Sequence, residues 1–110
     1  MELKILQRTY NLILYLYPVL KQFPRSERHT LVVEIKRTLF QMVRLITRAN
    51  KERRKLEWLN QLDAELELLR TQIRLSMELG FLPMRKYENA SKDLAEIGRM
   101  LGGWIKSSRY

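Results

Sequence analysis

Leu59-Asn60-Gln61-Leu62-Asp63-Ala64-Glu65-Leu66-Glu67-Leu68-Leu69-Arg70-Thr71-Gln72-Ile73 is the stretch that decides the architecture. Within it Leu59, Leu62, Leu66, Leu69 and Ile73 recur in alternating steps of three and four residues. That rhythm places all five on one side of an α-helix, whereas a half-buried strand would alternate with a period of two. The apolar side is narrow, the width of a seam between helices. A single helix of this kind draws most of its stability from packing, so the flanking sequence must supply partners.

Downstream, Gly80 reads as the C-terminal stop of this helix. Pro83 can open the next helix, where its missing amide costs nothing. Tyr87, Leu94, Ile97, Leu101, Trp104 and Ile105 then form a buried stripe, followed by a polar tail from Lys106 to Tyr110. Upstream, the polar cluster Asn50 to Lys55 reads as a turn, and Leu31, Ile35, Leu39, Met42, Ile46 and Ala49 give the preceding helix its inner face. Ser26 is the expected cap of that helix, with Glu27 against its positive end. A capping box fails, because His29 stands where Glu or Gln is needed. The first helix is expected from Leu3 to Gln22, with Leu6, Tyr10, Ile13, Leu14 and Tyr17 on one side, a possible kink at Pro18 and an end at Phe23-Pro24.

No stretch alternates as a strand should. Four helices joined by short connections predict an all-α, antiparallel up-down four-helix bundle, because short links force sequential helices to be neighbours. The 110 residues suit one domain over 1–110 with one core, since a chain of this size buries roughly two-thirds of its unfolded surface. The apolar run Leu12 to Leu20 is broken by Pro18 and falls well short of the ~20 residues that a membrane-spanning helix needs. Glu2 in the charged region, with no small-residue cleavage site after the run, argues against a signal peptide. The absence of cysteine removes disulfides and thiolate chemistry and fits a reducing compartment. A cytoplasmic protein without membrane partners is expected.

The formal charge of +9 is unevenly spread. Residues 1–24 carry three bases and one acid, 25–55 ten and three, 56–80 two and five, and 81–110 six and three. An acidic third helix therefore stands between basic neighbours. The catalytic inventory is thin: one histidine, His29, and no glycine-rich phosphate loop or nucleophile elbow. The carboxylates Glu57, Asp63, Glu65 and Glu67 read as a solvated face. No enzyme, metal or cofactor is expected.

The cations are organised. Arg85, Lys92, Arg99 and Lys106 are seven apart, a stripe that drifts only about 20° per heptad on a straight helix. Arg37, Arg44, Arg48 and Lys51 form a second stripe, continued by Arg53, Arg54 and Lys55 in the turn. Rows of fixed cations bind polyanions by releasing condensed counterions, with no need of base contacts. Few exposed aromatics are expected among them, so stacking on bases is not. Arg70 and Arg74 are the only bases on the acidic helix. They either pair with Glu67 and Glu78 one turn away or clamp a phosphate or a partner's carboxylate. Gly98, Gly102 and Gly103 interrupt the fourth helix pattern, each costing ~1 kcal/mol against Ala. The spacing of Trp104 and Ile105 after Ile97 and Leu101 favours a continuous helix, with Gly98 and Gly102 on one face that lets another backbone approach closely, within the bundle or across a subunit contact.

Three segments carry a resemblance: Phe23-Pro24-Arg25-Ser26-Glu27-Arg28, the run Leu66 to Arg70 continuing through Arg74-Leu75, and above all Ile97-Gly98-Arg99-Met100-Leu101-Gly102-Gly103-Trp104-Ile105-Lys106. Together they resemble the accessory variability determinant (Avd) proteins of diversity-generating retroelements. A related group, the four-helix-bundle proteins encoded in intervening sequences of bacterial ribosomal RNA genes, shares the fold and is the alternative, with a purely protein-binding scaffold as another. The resemblance implies a basic, non-catalytic subunit, a ring-like homopentamer whose partners are a reverse transcriptase and its template RNA, with DNA as a further candidate polyanion. Arg25, Arg28, Arg70, Arg74, Arg99 and Lys106 are the bases lying in the matching segments. The full candidate nucleic-acid set is Arg37, Arg44, Arg48, Lys51, Arg53, Arg54, Arg70, Arg74, Lys92, Arg99 and Lys106.

Overall fold

A computed structural model describes residues 3–109. Tyr110, the end of the expected polar tail, and Glu2 lie outside the described residues. Four α-helices follow one another: α1 (Leu3–Leu20), α2 (Leu31–Lys51), α3 (Leu56–Glu78) and α4 (Met84–Ser107). There is no strand among the described residues. Each of α1 and α3 packs against both α2 and α4, so α3 does lie between the two basic helices. The result is a rod of 46 × 24 × 19 Å with α1 diagonal to α3 and α2 diagonal to α4.

The seam of α3 is buried as its spacing requires, with Leu59, Leu62, Leu66, Leu69 and Ile73 all at most 1% exposed. The inner faces of α2 and α4 also follow the expected stripes, with Leu31, Tyr87 and Ile105 packed at the margin of the core. The inner face of α1 does not. Ile5, Thr9, Leu12, Leu16, Val19 and Leu20 are buried, whereas Tyr10 and Leu14, expected inside, are 55% and 58% exposed. Leu6, Ile13 and Tyr17 lie between these extremes. Its polar face, Lys4, Gln7, Arg8 and Asn11, is narrow and confined to the first half of the helix, so the apolar arc is wide enough to leave its inward side undecided. Thr9 can be inside because its hydroxyl donates to the Ile5 carbonyl at 2.9 Å, which satisfies the group locally.

The links between helices are built from local chemistry. α1 stops two residues before the expected end, tightening into turns in which Gln22 and Phe23 donate to the Val19 and Leu20 carbonyls. Ser26 does not cap α2. A short 3-10 turn, Arg25–Glu27, intervenes, and the Ser26 hydroxyl faces the Glu27 carboxylate instead. α2 begins only at Leu31, where apolar side chains first reach the core. At its other end Lys55 donates from Nζ to the carbonyls of Ala49 and Glu52 at 2.6 and 2.7 Å, taking up acceptors that a helix terminus leaves free. Gly80 has φ +82°. Its amide donates to Met77 and that of Phe81 to Ser76, the paired bonds of a Schellman stop. Phe81 then packs on Phe23 with centroids 5.9 Å apart, which ties both helix links at that end together. α4 starts at Met84, one residue after Pro83, and runs unbroken through Gly98, Gly102 and Gly103.

Candidate polyanion-binding surface

Arg37, Arg44, Arg48 and Lys51 are all exposed on the outer side of α2. Three of them are positioned locally. Arg37 pairs with Glu34 at 3.2 Å, Arg44 donates to the Gln41 side-chain carbonyl at 3.2 Å, and Arg48 pairs with Glu52 at 2.7 Å. Arg48 also lies 4.5 Å from the ring centroid of Trp58, a cation–π contact that orients the guanidinium while leaving it accessible. These exposed pairs contribute ~0–1 kcal/mol each, so the cations remain available to a stronger anion. Arg53 and Arg54 follow in the turn and are exposed, and with Leu56, Ser107 and Ser108 they line a groove between that turn and the end of α4. Lys55 also lines this groove, half-buried, with its Nζ committed to the α2 terminus described above.

The second stripe, Arg85, Lys92, Arg99 and Lys106, is exposed along α4. Because α2 and α4 are diagonal, the two stripes do not merge along the side of the rod. They approach each other at one end, where Arg53 and Arg54 meet the last turn of α4. Arg99 pairs with Glu96 through two hydrogen bonds. That bonding holds the Glu96 carboxyl below the ordinary carboxylate range, with a further lowering from Arg8 on α1. Lys4 and Arg8 flank Arg99 across the groove between α1 and α4, so the charge on this side comes from two helices.

Arg70 and Arg74 have different surroundings. Arg74 is exposed and bonded to Glu78 at 2.8 Å, which raises its pKa. Arg70 is half-buried: it pairs with Glu67 and reaches across to donate to the Leu94 carbonyl of α4 at 3.3 Å. Its guanidinium occupies the space above Gly98, where a Cβ would overlap it. The close backbone approach expected at Gly98 is not made: the space is taken by the Arg70 and Leu66 side chains instead. Gly102 has nothing within 4 Å of the position of a Cβ, so within the chain it admits no such approach.

His29 is exposed in the link before α2. Among the described residues no group of three or more His, Cys, Asp or Glu could hold a metal ion, and no helix is long and apolar enough to cross a membrane.

Sequence reasoning missed three features. Phe40 is 42% exposed on α2, α1 leaves Leu3, Tyr10 and Leu14 outside, and α3 leaves Leu68, Leu75 and Leu79 outside. Each of the two leucine-containing stripes has steps of seven and four residues, a helical-face signal that was there to be found. A family model described as bAvd-like matches residues 3–108. No curated protein matches the chain.

Proposed function

Because the chain belongs to the bAvd-like family, we propose that it is a basic, non-catalytic accessory subunit of a diversity-generating retroelement that binds the element's reverse transcriptase and template RNA and supports mutagenic complementary-DNA synthesis. The observation that carries the RNA-binding part is the exposed cation path from Arg37 along α2, through Arg53 and Arg54, to the end of α4. A polyanion along it would meet a cation every one to two turns of α2, and each phosphate neutralised releases condensed counterions. The acidic α3 offers no comparable row.

Self-assembly is part of the same reading. The outward apolar stripes of α1 and α3 stand on opposite corners of the rod. α1 contains Lys4 and Arg8 and no acid, whereas α3 contains five acids and two bases. An unlike-to-unlike contact between these corners repeats around a closed ring, here proposed to hold five copies. It would leave the α2 and α4 corners free.

The deciding experiment is purification from cells that co-express the reverse transcriptase and the template RNA. The proposal expects both to come down with this chain, the RNA being released as salt rises. Recovery of the polymerase with wild-type strength after the α2 and α4 cations are neutralised, and of no RNA at any salt concentration, would replace it with a protein-binding scaffold.

A further inference from the structure

Phe40 is 42% exposed although both its sequence neighbour Leu39 and the rest of the inner face of α2 are buried. Its ring is held by Tyr17 of α1 in a near-perpendicular contact, with centroids 6.4 Å apart and planes at 79°. Tyr17 is in turn covered by Lys36, whose Nζ lies 4.5 Å from the ring centroid. One helical turn to either side of Phe40 stand the exposed Arg37 and Arg44. They share its side of the helix, being three residues before and four residues after it. An exposed, propped aromatic ring is thus framed by three cations.

We infer that Phe40 is a stacking platform for an unpaired base of a single-stranded nucleic acid whose phosphates are held by Arg37 and Arg44. This rests on the polyanion reading above and adds a ligand class to it: bare phosphate contacts would not distinguish a single strand from a duplex, but a stacked base does. The charge around the ring selects the occupant. An apolar side chain covering Phe40 would have to bury or displace Arg37, Arg44 and Lys36, whereas a nucleotide brings a phosphate for the cations and a π-face for the ring together. Tyr17 follows Tyr10 by seven residues and Leu14 by three, so the platform adjoins the α1 stripe, and assembly mass has to be read beside RNA affinity. Base identity should matter little, since every base has a π-face.

The test uses the full chain, a fluorescein-labelled 20-nucleotide single-stranded RNA of mixed sequence, and the same sequence as a duplex, with binding read by anisotropy over a salt series. Phe40→Leu keeps apolar bulk and removes the ring. It should weaken single-strand binding about 5- to 50-fold, leave duplex binding unchanged and leave the salt slope unchanged, because no cation is lost. Phe40→Trp should restore or exceed wild-type affinity. Circular dichroism and scattering mass of both variants should match the parent. If Phe40→Leu binds the single strand as the parent does, while the Arg44, Arg48 and Lys51 triple variant loses affinity, the platform is overturned and the polyanion reading stands. If the parent binds neither strand, both are overturned. A changed assembly mass in Phe40→Leu with unchanged RNA affinity would make this corner a protein contact and would also overturn the platform.

Discussion

Arg70 and Gly98 show how one residue can depend on what another lacks. The guanidinium fills the space of the missing Cβ and bonds the Leu94 carbonyl. Gly98→Ala gains up to ~1 kcal/mol of helix propensity but displaces the tip of Arg70, with the loss of a hydrogen bond that contributes ~1 kcal/mol. Its melting should barely change. Gly102 faces open space, so Gly102→Ala should raise stability by ~0.5–1 kcal/mol, measured by urea denaturation at a concentration where the chain is monomeric. Equal gains at both positions would show that Arg70 is not held over Gly98. Gln72 makes a second case. It is 7% exposed and its Oε1 has no hydrogen-bond partner, and a buried acceptor left unpaired costs ~1–3 kcal/mol. Gln72→Met, similar in volume, should therefore stabilise by ~1 kcal/mol or more; a lower denaturation midpoint would mean that the amide is satisfied.

At the scale of an element, α2 combines a core face with a cation stripe, and the two are separable. Neutralising Arg44, Arg48 and Lys51 together should flatten the slope of log affinity against log salt by up to ~2–3 units. Most of the helix should be indifferent, since surface changes are usually within ~0.5 kcal/mol. Arg48 is the exception because of its stack on Trp58, so Arg48→Gln alone should cost ~0.5–1 kcal/mol. An unchanged salt slope in the triple variant would remove α2 from the binding surface. Lys55 illustrates how an element boundary absorbs a charge: in sequence it continues the basic run, yet in the fold it closes the end of α2. No spacing rule separates it from Arg53 and Arg54, because the distinction depends on where the turn brings the carbonyls of residues 49 and 52.

For the whole molecule, light scattering coupled to size exclusion should give several times the chain mass of 13.3 kDa. Leu14→Asp on α1 and Leu75→Asp on α3 should each reduce it to the monomer mass. A mixture of the two should form dimers and nothing larger, since one intact α1 corner can still meet one intact α3 corner. Dimers of either variant alone would point to a like-to-like contact instead. What the sequence determined by itself was the set of helices, the seams of α2, α3 and α4, the alternation of charge and the exposure of the cation stripes, because period and polarity are local properties of the chain. The inward side of α1 was beyond it: with apolar residues around most of the helix, only packing against α2 and α4 selects Ile5, Leu12 and Leu16 over Tyr10 and Leu14. The pairing of Arg70 with Gly98 was likewise decided by tertiary structure alone. It joins residues 28 positions apart through a crossing of α3 and α4, and such a distance is set by how two helices dock, not by the period of either one.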